Sequence, residues 1–300
     1  MDMKKILPVL LMLISMLMGC NRSRSGFDEQ AYADSLTRWH QQRVADLKRS
    51  DGWVNLAGLY WLKEGMNSFG SDPVLDVVFP PSFAIPRAGY FMMQNGVVSM
   101  LTDPDQGITT DGQQRSEVLF FHPDSATAMI AEKGSFRWNI IRRKDQLGVR
   151  LRDLNNPALA AFTEPERFPV TPELRLEASL IPADSLHTIL ITNVLGQTTP
   201  ERSPGKLTFT IDGQPFTLDA LESGADLFII FADATTGIET YGGGRFLYVP
   251  KPGPDGRVVL DFNKAINPPC VFTPYATCPL PPAPNRLSVA IRAGEKDYHH

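Results

Sequence analysis

Four turn dipeptides set the rhythm of this chain: Asn95-Gly96, Asp111-Gly112, Asp212-Gly213 and Asp255-Gly256. A two-residue hairpin turn needs positive φ at both central positions, which Asn or Asp followed by Gly supplies, and its twist matches adjacent antiparallel strands. Asn95-Gly96 separates the apolar runs Tyr90–Met93 and Val97–Leu101, and Asp212-Gly213 separates Leu207–Ile211 from Pro215–Leu221. After Arg49 no long amphipathic helix follows, so parallel βαβ units would lack their crossover helices. The expected fold class is therefore mainly β, with two antiparallel β-rich halves, of sandwich or barrel type, behind one N-terminal helix.

That helix is expected between Asp28 and Arg49, where Tyr32, Leu36, Trp39, Val44 and Leu47 share one broad face. Asp28 or Asp34 suits its first turn and Lys48-Arg49 its negative dipole end. His40 reads as an exposed or edge histidine, and Asp51-Gly52 ends the element. Farther on, Asn155-Asn156-Pro157, Glu164-Pro165-Glu166 and Phe168-Pro169 interrupt the strand pattern. This predicts an N-terminal β domain over 51–155 and a C-terminal β domain over 156–300. In the second, strands are expected near 174–180, 188–194, 207–211, 227–232, 246–249, 258–262 and 287–291, a spacing that suits a sandwich or barrel.

The first twenty residues are laid out as a secretory signal: Lys4-Lys5, an apolar run from Ile6 to Met18, then Gly19-Cys20. The run is short for a membrane span. Leu17-Met18-Gly19-Cys20 resembles a lipobox, which implies a lipoprotein signal peptide over 1–20, acylation of Cys20, and a tether plus helix over 21–50. Acyl chains would hold the domain to membrane lipid at roughly 0.8 kcal/mol per buried methylene. The expected location is the periplasmic face of the cell envelope; Asn21, not an acidic residue, after Cys20 favours the outer membrane. Lys and Arg are scattered along a chain of net charge −4, so nucleic acid is not an expected partner.

The densest unusual chemistry runs from Asp233 to Arg286. Tyr241-Gly242-Gly243-Gly244-Arg245 lets backbone approach another group closely, and Pro268-Pro269 holds the next loop extended. Arg245, Asp261, Asn263, Asn267, Tyr275 and Arg286 are the candidate binding residues for a small anionic ligand, since a guanidinium fork pairs bidentately with carboxylate or phosphate. Arg245 could equally form an internal ion pair with Asp233 or Asp261. With Cys20 acylated, Cys270 and Cys278 remain, and three readings stay open: a disulfide, a reactive thiol, or buried inert thiols. Five histidines without ligand spacing give no reason to expect a metal, and no cofactor motif is present. Whether the protein is an enzyme stays open. The alternatives to ligand binding are a hydrolase or thiol-dependent transferase using Cys270 or Cys278 with Asp261, and a non-catalytic envelope scaffold.

The runs TYGGGRFL, DFNKAINPPC and YATCPLPPAPNRL resemble the signature of an uncharacterised bacterial lipoprotein family, domain of unknown function 1684. DGWVNLAGLYWLKEG with FGSDPVLDVVFP, at Asp51 to Pro80, resembles that family's N-terminal motif, so the resemblance covers nearly all of the mature chain. It implies a shared fold and site but no established activity. The stretch WLKEGMNSFGSDPVLDVVFP is also similar to the opening strands of forkhead-associated domains. Those domains bind phosphothreonine partly through an Arg after the Gly that here is Gly70. Ser71 stands in that place, so the similarity implies a β-sandwich without phosphopeptide binding.

Overall fold

The computed structural model describes residues 27–184 and 187–298. The expected signal peptide, Cys20 and Asn21 lie outside the described residues. The chain divides into a short unit ending at Ser35 and a body, Leu36–His300.

Helix α1 (Glu29–Lys48) begins where Asp28 accepts a hydrogen bond from the Ala31 N–H, satisfying one of the donors a helix start leaves open. It buries Leu36, His40 and Leu47. His40 is therefore a core histidine and not the exposed one expected; its face of the helix is covered, and its Nε2 lies 3.7 Å from Glu164.

The N-terminal half contains β1 (Leu56–Trp61), β2 (Gly65–Gly70), β3 (Val77–Val78), β4 (Gly89–Gln94), β5 (Val97–Thr102), β6 (Thr109–Thr110), β7 (Gln113–Gln114), β8 (Glu117–Phe121), β9 (Ala131–Lys133), β10 (Phe136–Arg143) and β11 (Gln146–Asp153). Five form a sheet in the order β3-β2-β4-β5-β8 and six form another, β1-β11-β10-β9-β6-β7. Alternation along each strand sends Phe69, Phe91 and Met100 from one sheet and Trp138, Val149 and Leu151 from the other into a shared core. Phe69 stacks on Phe91 with ring centres 4.4 Å apart. On β11 the opposite face carries Arg150 and Arg152.

After helix α2 (Pro157–Ala161) the second half supplies β12 (Arg175–Pro182), β13 (Thr188–Thr192), β14 (Thr198–Arg202), β15 (Gly205–Ile211), β16 (Gln214–Ser223), β17 (Asp226–Phe231), β18 (Arg245–Pro250) and β19 (Arg257–Asp261). Six of them follow the order β18-β17-β16-β15-β12-β19, and β19 returns beside β18, so this sheet is nearly a closed barrel. The long β16 makes the bend, pairing with β15 up to Ala220 and with β17 from Leu221. Leu207, Leu218, Ile229, Phe231, Leu247 and Leu260 fill the interior. β13 and β14 pair separately as a hairpin.

Three of the four turn dipeptides close two-residue hairpins, with φ of 52° and 78° at Asn95-Gly96, 51° and 72° at Asp111-Gly112, and 50° and 77° at Asp212-Gly213. Asp255-Gly256 does not. It ends a proline-bearing connection between β18 and β19, which pair with β17 and β12 and not with each other. The expected strand over 287–291 is likewise absent. This stretch runs extended beside 232–234, joined by the Leu287 N–H to the Ala232 carbonyl and the Ala234 N–H to the Val289 carbonyl. At Ile291 the main-chain groups bond to side chains instead of to a strand.

Of the three consecutive glycines, Gly244 is the one that geometry demands. Its φ is +81°, and a Cβ there would lie 2.5 Å from the Phe231 carbonyl oxygen and 2.5 Å from Pro281. Gly242 would meet only the Gly237 Cα at 3.9 Å. Gly244→Ala is expected to cost about 2–5 kcal/mol in denaturant unfolding, combining left-handed strain with overpacking, whereas Gly242→Ala leaves the midpoint nearly unchanged. Equal effects would show that the loop re-forms around the added methyl.

Candidate functional site

Arg245, the first residue of β18, is fully buried. Its Nη2 donates to Asp233 Oδ2 at 2.8 Å and to the Ile291 carbonyl at 2.8 Å, while Nη1 donates to the carbonyls of Ala293 and Glu295. The guanidinium lies over the Phe231 ring, 5.2 Å from its centre. Asp233 Oδ1 accepts from the Thr235 N–H, the Thr235 hydroxyl and the Ile291 N–H. This is the internal ion pair, closed on all sides, and its work is to tie residues 291–295 onto the barrel. Desolvated charges that are mutually bonded are tolerated in an interior, but each depends on the other.

The same tail delivers Glu295, also fully buried. Its Oε2 accepts the Asn267 N–H at 2.6 Å and its Oε1 the Arg43 Nε of α1 at 3.3 Å. Arg43 Nη2 further donates to the Asn267 carbonyl. Burial pushes the Glu295 carboxyl above the ordinary carboxylate range, against the pull of Arg43 and the Asn267 N–H. Arg245 and Asn267 are thus brought together through Glu295, which sequence reasoning did not single out.

The other sequence candidates go elsewhere. Asp261 accepts from the Asn263 N–H and side-chain amide, and Asn263 bonds both ways to the Thr171 backbone, so this pair pins the segment entering β12. Tyr275 lies near Tyr60, whose hydroxyl is pushed up to about 12 by burial and by Tyr275. Arg286 is exposed. The six do not converge on one cavity.

A cavity does open where α1, the end of β10, strands β17 and β18, and the loop 266–279 meet. It has a volume of about 270 Å³ and is lined by Arg43, Trp53, Arg143, Phe228, Tyr248, Asn267, Thr277 and Cys278, among others. Arg143 Nε donates to the Thr277 hydroxyl at 2.7 Å. Asn267 Oδ1 is buried without a partner. No carboxylate side chain lines the cavity. Behind Trp53, with its guanidinium 5.3 Å from that ring, sits Arg150, 9% exposed, with Nε and Nη2 unpartnered. Burial, with the neighbouring charges of Arg143 and Arg152, lowers Arg150 to about 10. A second hollow of about 370 Å³ shares Arg143, Phe228, Thr277 and Pro279 and adds Arg142 and Lys144 together with the carboxylates of Glu201 and Glu222.

Cys270 and Cys278 are free thiols, so the disulfide expected as one reading is not formed. They lie side by side: the Cys270 N–H donates to Cys278 Sγ at 3.0 Å, and Cys270 Sγ is 3.6 Å from the Tyr241 hydroxyl. The bond to Cys278, opposed by burial and helped by Tyr241, brings the Cys270 thiol down to about 7. The bond between the two side chains and burial push Cys278 up, while the Cys270 N–H pulls it down. Asp261 is not among the groups acting on either thiol. Among the described residues no group of three or more His, Cys, Asp or Glu could hold a metal.

Arg245→Ala should lower stability by about 3–5 kcal/mol, because it leaves Asp233 buried and unpaired. Arg245→Ala with Asp233→Ala should cost less than the sum of the two single changes, read by denaturant unfolding. A mild effect of the single variant would mean that water replaces the guanidinium.

No curated protein matches the chain. An uncharacterised protein of Haloarcula marismortui, known from a solution NMR structure, is 28% identical over 48% of this chain and 83% of its own, with a TM-score of 0.40. The motif at Asp51 to Pro80, Arg43 and Arg143 lie outside the stretch that a family model covers. Residues 160–296, which hold Asp233, Arg245, Asn267, Glu295 and both cysteines, match the family described as Protein of unknown function (DUF1684).

Proposed function

We propose that this is a lipid-anchored protein of the cell envelope that binds a small anionic ligand in the cavity between Arg43, Arg143, Asn267 and Thr277. The observation that carries the binding reading is a cavity without carboxylates that Arg143 lines, with the buried guanidinium of Arg150, two of its nitrogens unpartnered, behind its Trp53 wall. A buried cation without a counter-charge is costly, and an anion in the cavity would supply one. Arg43 is already matched by Glu295, so the surplus charge is that of Arg143 and Arg150. The Thr277 hydroxyl, which accepts from Arg143, can donate its proton to the anion, and the Asn267 amide oxygen would accept from a ligand hydroxyl or amine. The site differs from the one expected in the motif stretch, because Arg245 is consumed in holding the tail.

The test is thermal unfolding with mono- and dicarboxylates, phosphate and sulfate at constant ionic strength. A ligand present at about a hundred times its Kd adds about 2.7 kcal/mol, which for a chain of this size is a rise of several degrees. Arg143→Ala should remove that rise. No anion-specific rise in the wild type sinks the binding reading.

The envelope reading rests on the sequence of the first twenty-one residues. Cys20→Ser should abolish incorporation of labelled fatty acid and move the protein from the membrane fraction to the soluble fraction. Unchanged fractionation without label would mean that attachment does not depend on acylation.

A further inference from the structure

We propose that Cys270 and Cys278 form a thiol–disulfide exchange site whose substrate is a small, carboxylate-bearing disulfide, drawn to Cys270 by the positive charge of the Arg43–Arg143 cavity beside it. The choice of an anionic substrate rests on the binding reading above; the exchange chemistry does not. The two thiols pack in an apolar cluster with Ile191, Leu221, Ile230, Phe246 and Ile266, yet they also have polar partners. This pair has a backbone N–H on Cys278 Sγ, a tyrosine hydroxyl on Cys270 Sγ, and a hydrogen bond between the two side chains. The charge of Arg143 also favours ionisation of Cys278, and the charge of Cys278 acts in turn on Arg150. Burial, with its bond to Cys270, holds the Tyr241 hydroxyl protonated well above neutral pH, so it remains a donor to a sulfur anion.

Access divides the roles. Cys270 is half-buried and lies outside the cavity lining, so it is met from the partly exposed side of the loop; Cys278 is buried and forms part of the cavity wall. The Cys270 thiolate attacks one sulfur of the incoming disulfide; the S–S bond breaks and one half leaves as a thiolate, giving a mixed disulfide on Cys270. Cys278 then gives up its proton and attacks the Cys270 sulfur. The second half leaves as a thiolate, and both leaving groups take up protons. The net change is one small disulfide reduced to two thiols and the protein dithiol oxidised to a Cys270–Cys278 disulfide. Reactivity in such exchange follows the thiolate fraction of the attacking group and its access.

The experiment exposes the folded full-length protein to 3,3′-dithiodipropionate, an anionic disulfide, or cystamine, a cationic one. The products are read by alkylation and peptide mapping that separates Cys270 and Cys278 from Cys20. The expected wild-type product is an internal 270–278 disulfide without adduct, formed roughly tenfold faster with the anionic probe at low ionic strength. Arg143→Ala should remove that preference. In Cys278→Ser a mixed disulfide should accumulate on Cys270, while in the wild type the rate of the first step should rise with pH through about 7; if the variant misfolds, acid quenching of the wild type traps the same adduct. If both thiols stay alkylatable in the folded wild type after either probe, the exchange site is overturned, whether or not carboxylates bind. If both probes react equally fast and Arg143→Ala changes nothing, the anionic substrate is overturned, and with it the support this site lends to the binding cavity.

Discussion

The buried pairing of Arg245 with Asp233 determines where the last part of this chain goes. Each partner on its own would be a charge in an apolar interior, at a cost of several kcal/mol. Together they form a platform whose spare donors and acceptors face the tail: three carbonyls, of Ile291, Ala293 and Glu295, close on the guanidinium, and the Ile291 N–H closes on the carboxylate. Main-chain groups that would otherwise need strand partners are thereby satisfied. Once residues 291–295 are fixed, the Glu295 side chain points at the Asn267 N–H and at Arg43. A single ion pair thus joins barrel, tail, helix and the start of the loop that carries both cysteines.

Two kinds of arginine separate a staple from a site. Arg245 is matched by a carboxylate and three carbonyls, with only Nε left over. Arg150 is nearly as deep, yet its Nε and Nη2 meet nothing, and its neighbours Arg143 and Arg152 carry the same sign. Stacking on Trp53 offsets part of that cost, since an aromatic face attracts a cation by about 0.5–2 kcal/mol. A full counter-charge is still missing. The fold therefore stores its unspent electrostatic capacity on the outer face of β11 and not in the glycine-rich motif.

What the sequence makes legible follows the range of the interactions involved. Asn95-Gly96 announces its hairpin because the requirement, positive φ at two adjacent residues, is local. Lys144-Asp145 also closes a two-residue hairpin, between β10 and β11, but with positive φ, 51°, at Lys144 alone, and it carries no glycine to announce it. The run 287–291 has the composition of a strand, but its pairing is decided by side chains 46 and 58 residues away. Arg245 was visible as an unusual residue and even as a candidate partner for Asp233; which of its two readings held depended on burial, a property of the tertiary fold. Arg150 gave no signal. In the run Val149-Arg150-Leu151-Arg152 the charges alternate with apolar residues as on any half-exposed strand, and only folding brings the loop 267–279 over that face.

The placement of that loop explains why thiols and cations share one location. At one end Asn267 is held by Glu295 and Arg43. At the other Arg143 reaches Thr277 across 134 residues of sequence, and the Cys278 carbonyl accepts the Val194 N–H. Between these clamps Pro268 and Pro269 restrict the backbone, and the short turn at Pro269–Val271 points the Cys270 N–H at the Cys278 sulfur. The sulfurs are therefore held against each other by the clamps at both ends of the loop as well as by their own contacts. Because Arg143 belongs both to the clamp on Thr277 and to the positive lining of the cavity, an occupant that draws on its charge also acts on the end of the loop bearing Cys278. In the proposed binding mode, charge recognition and sulfur position would be coupled through one guanidinium.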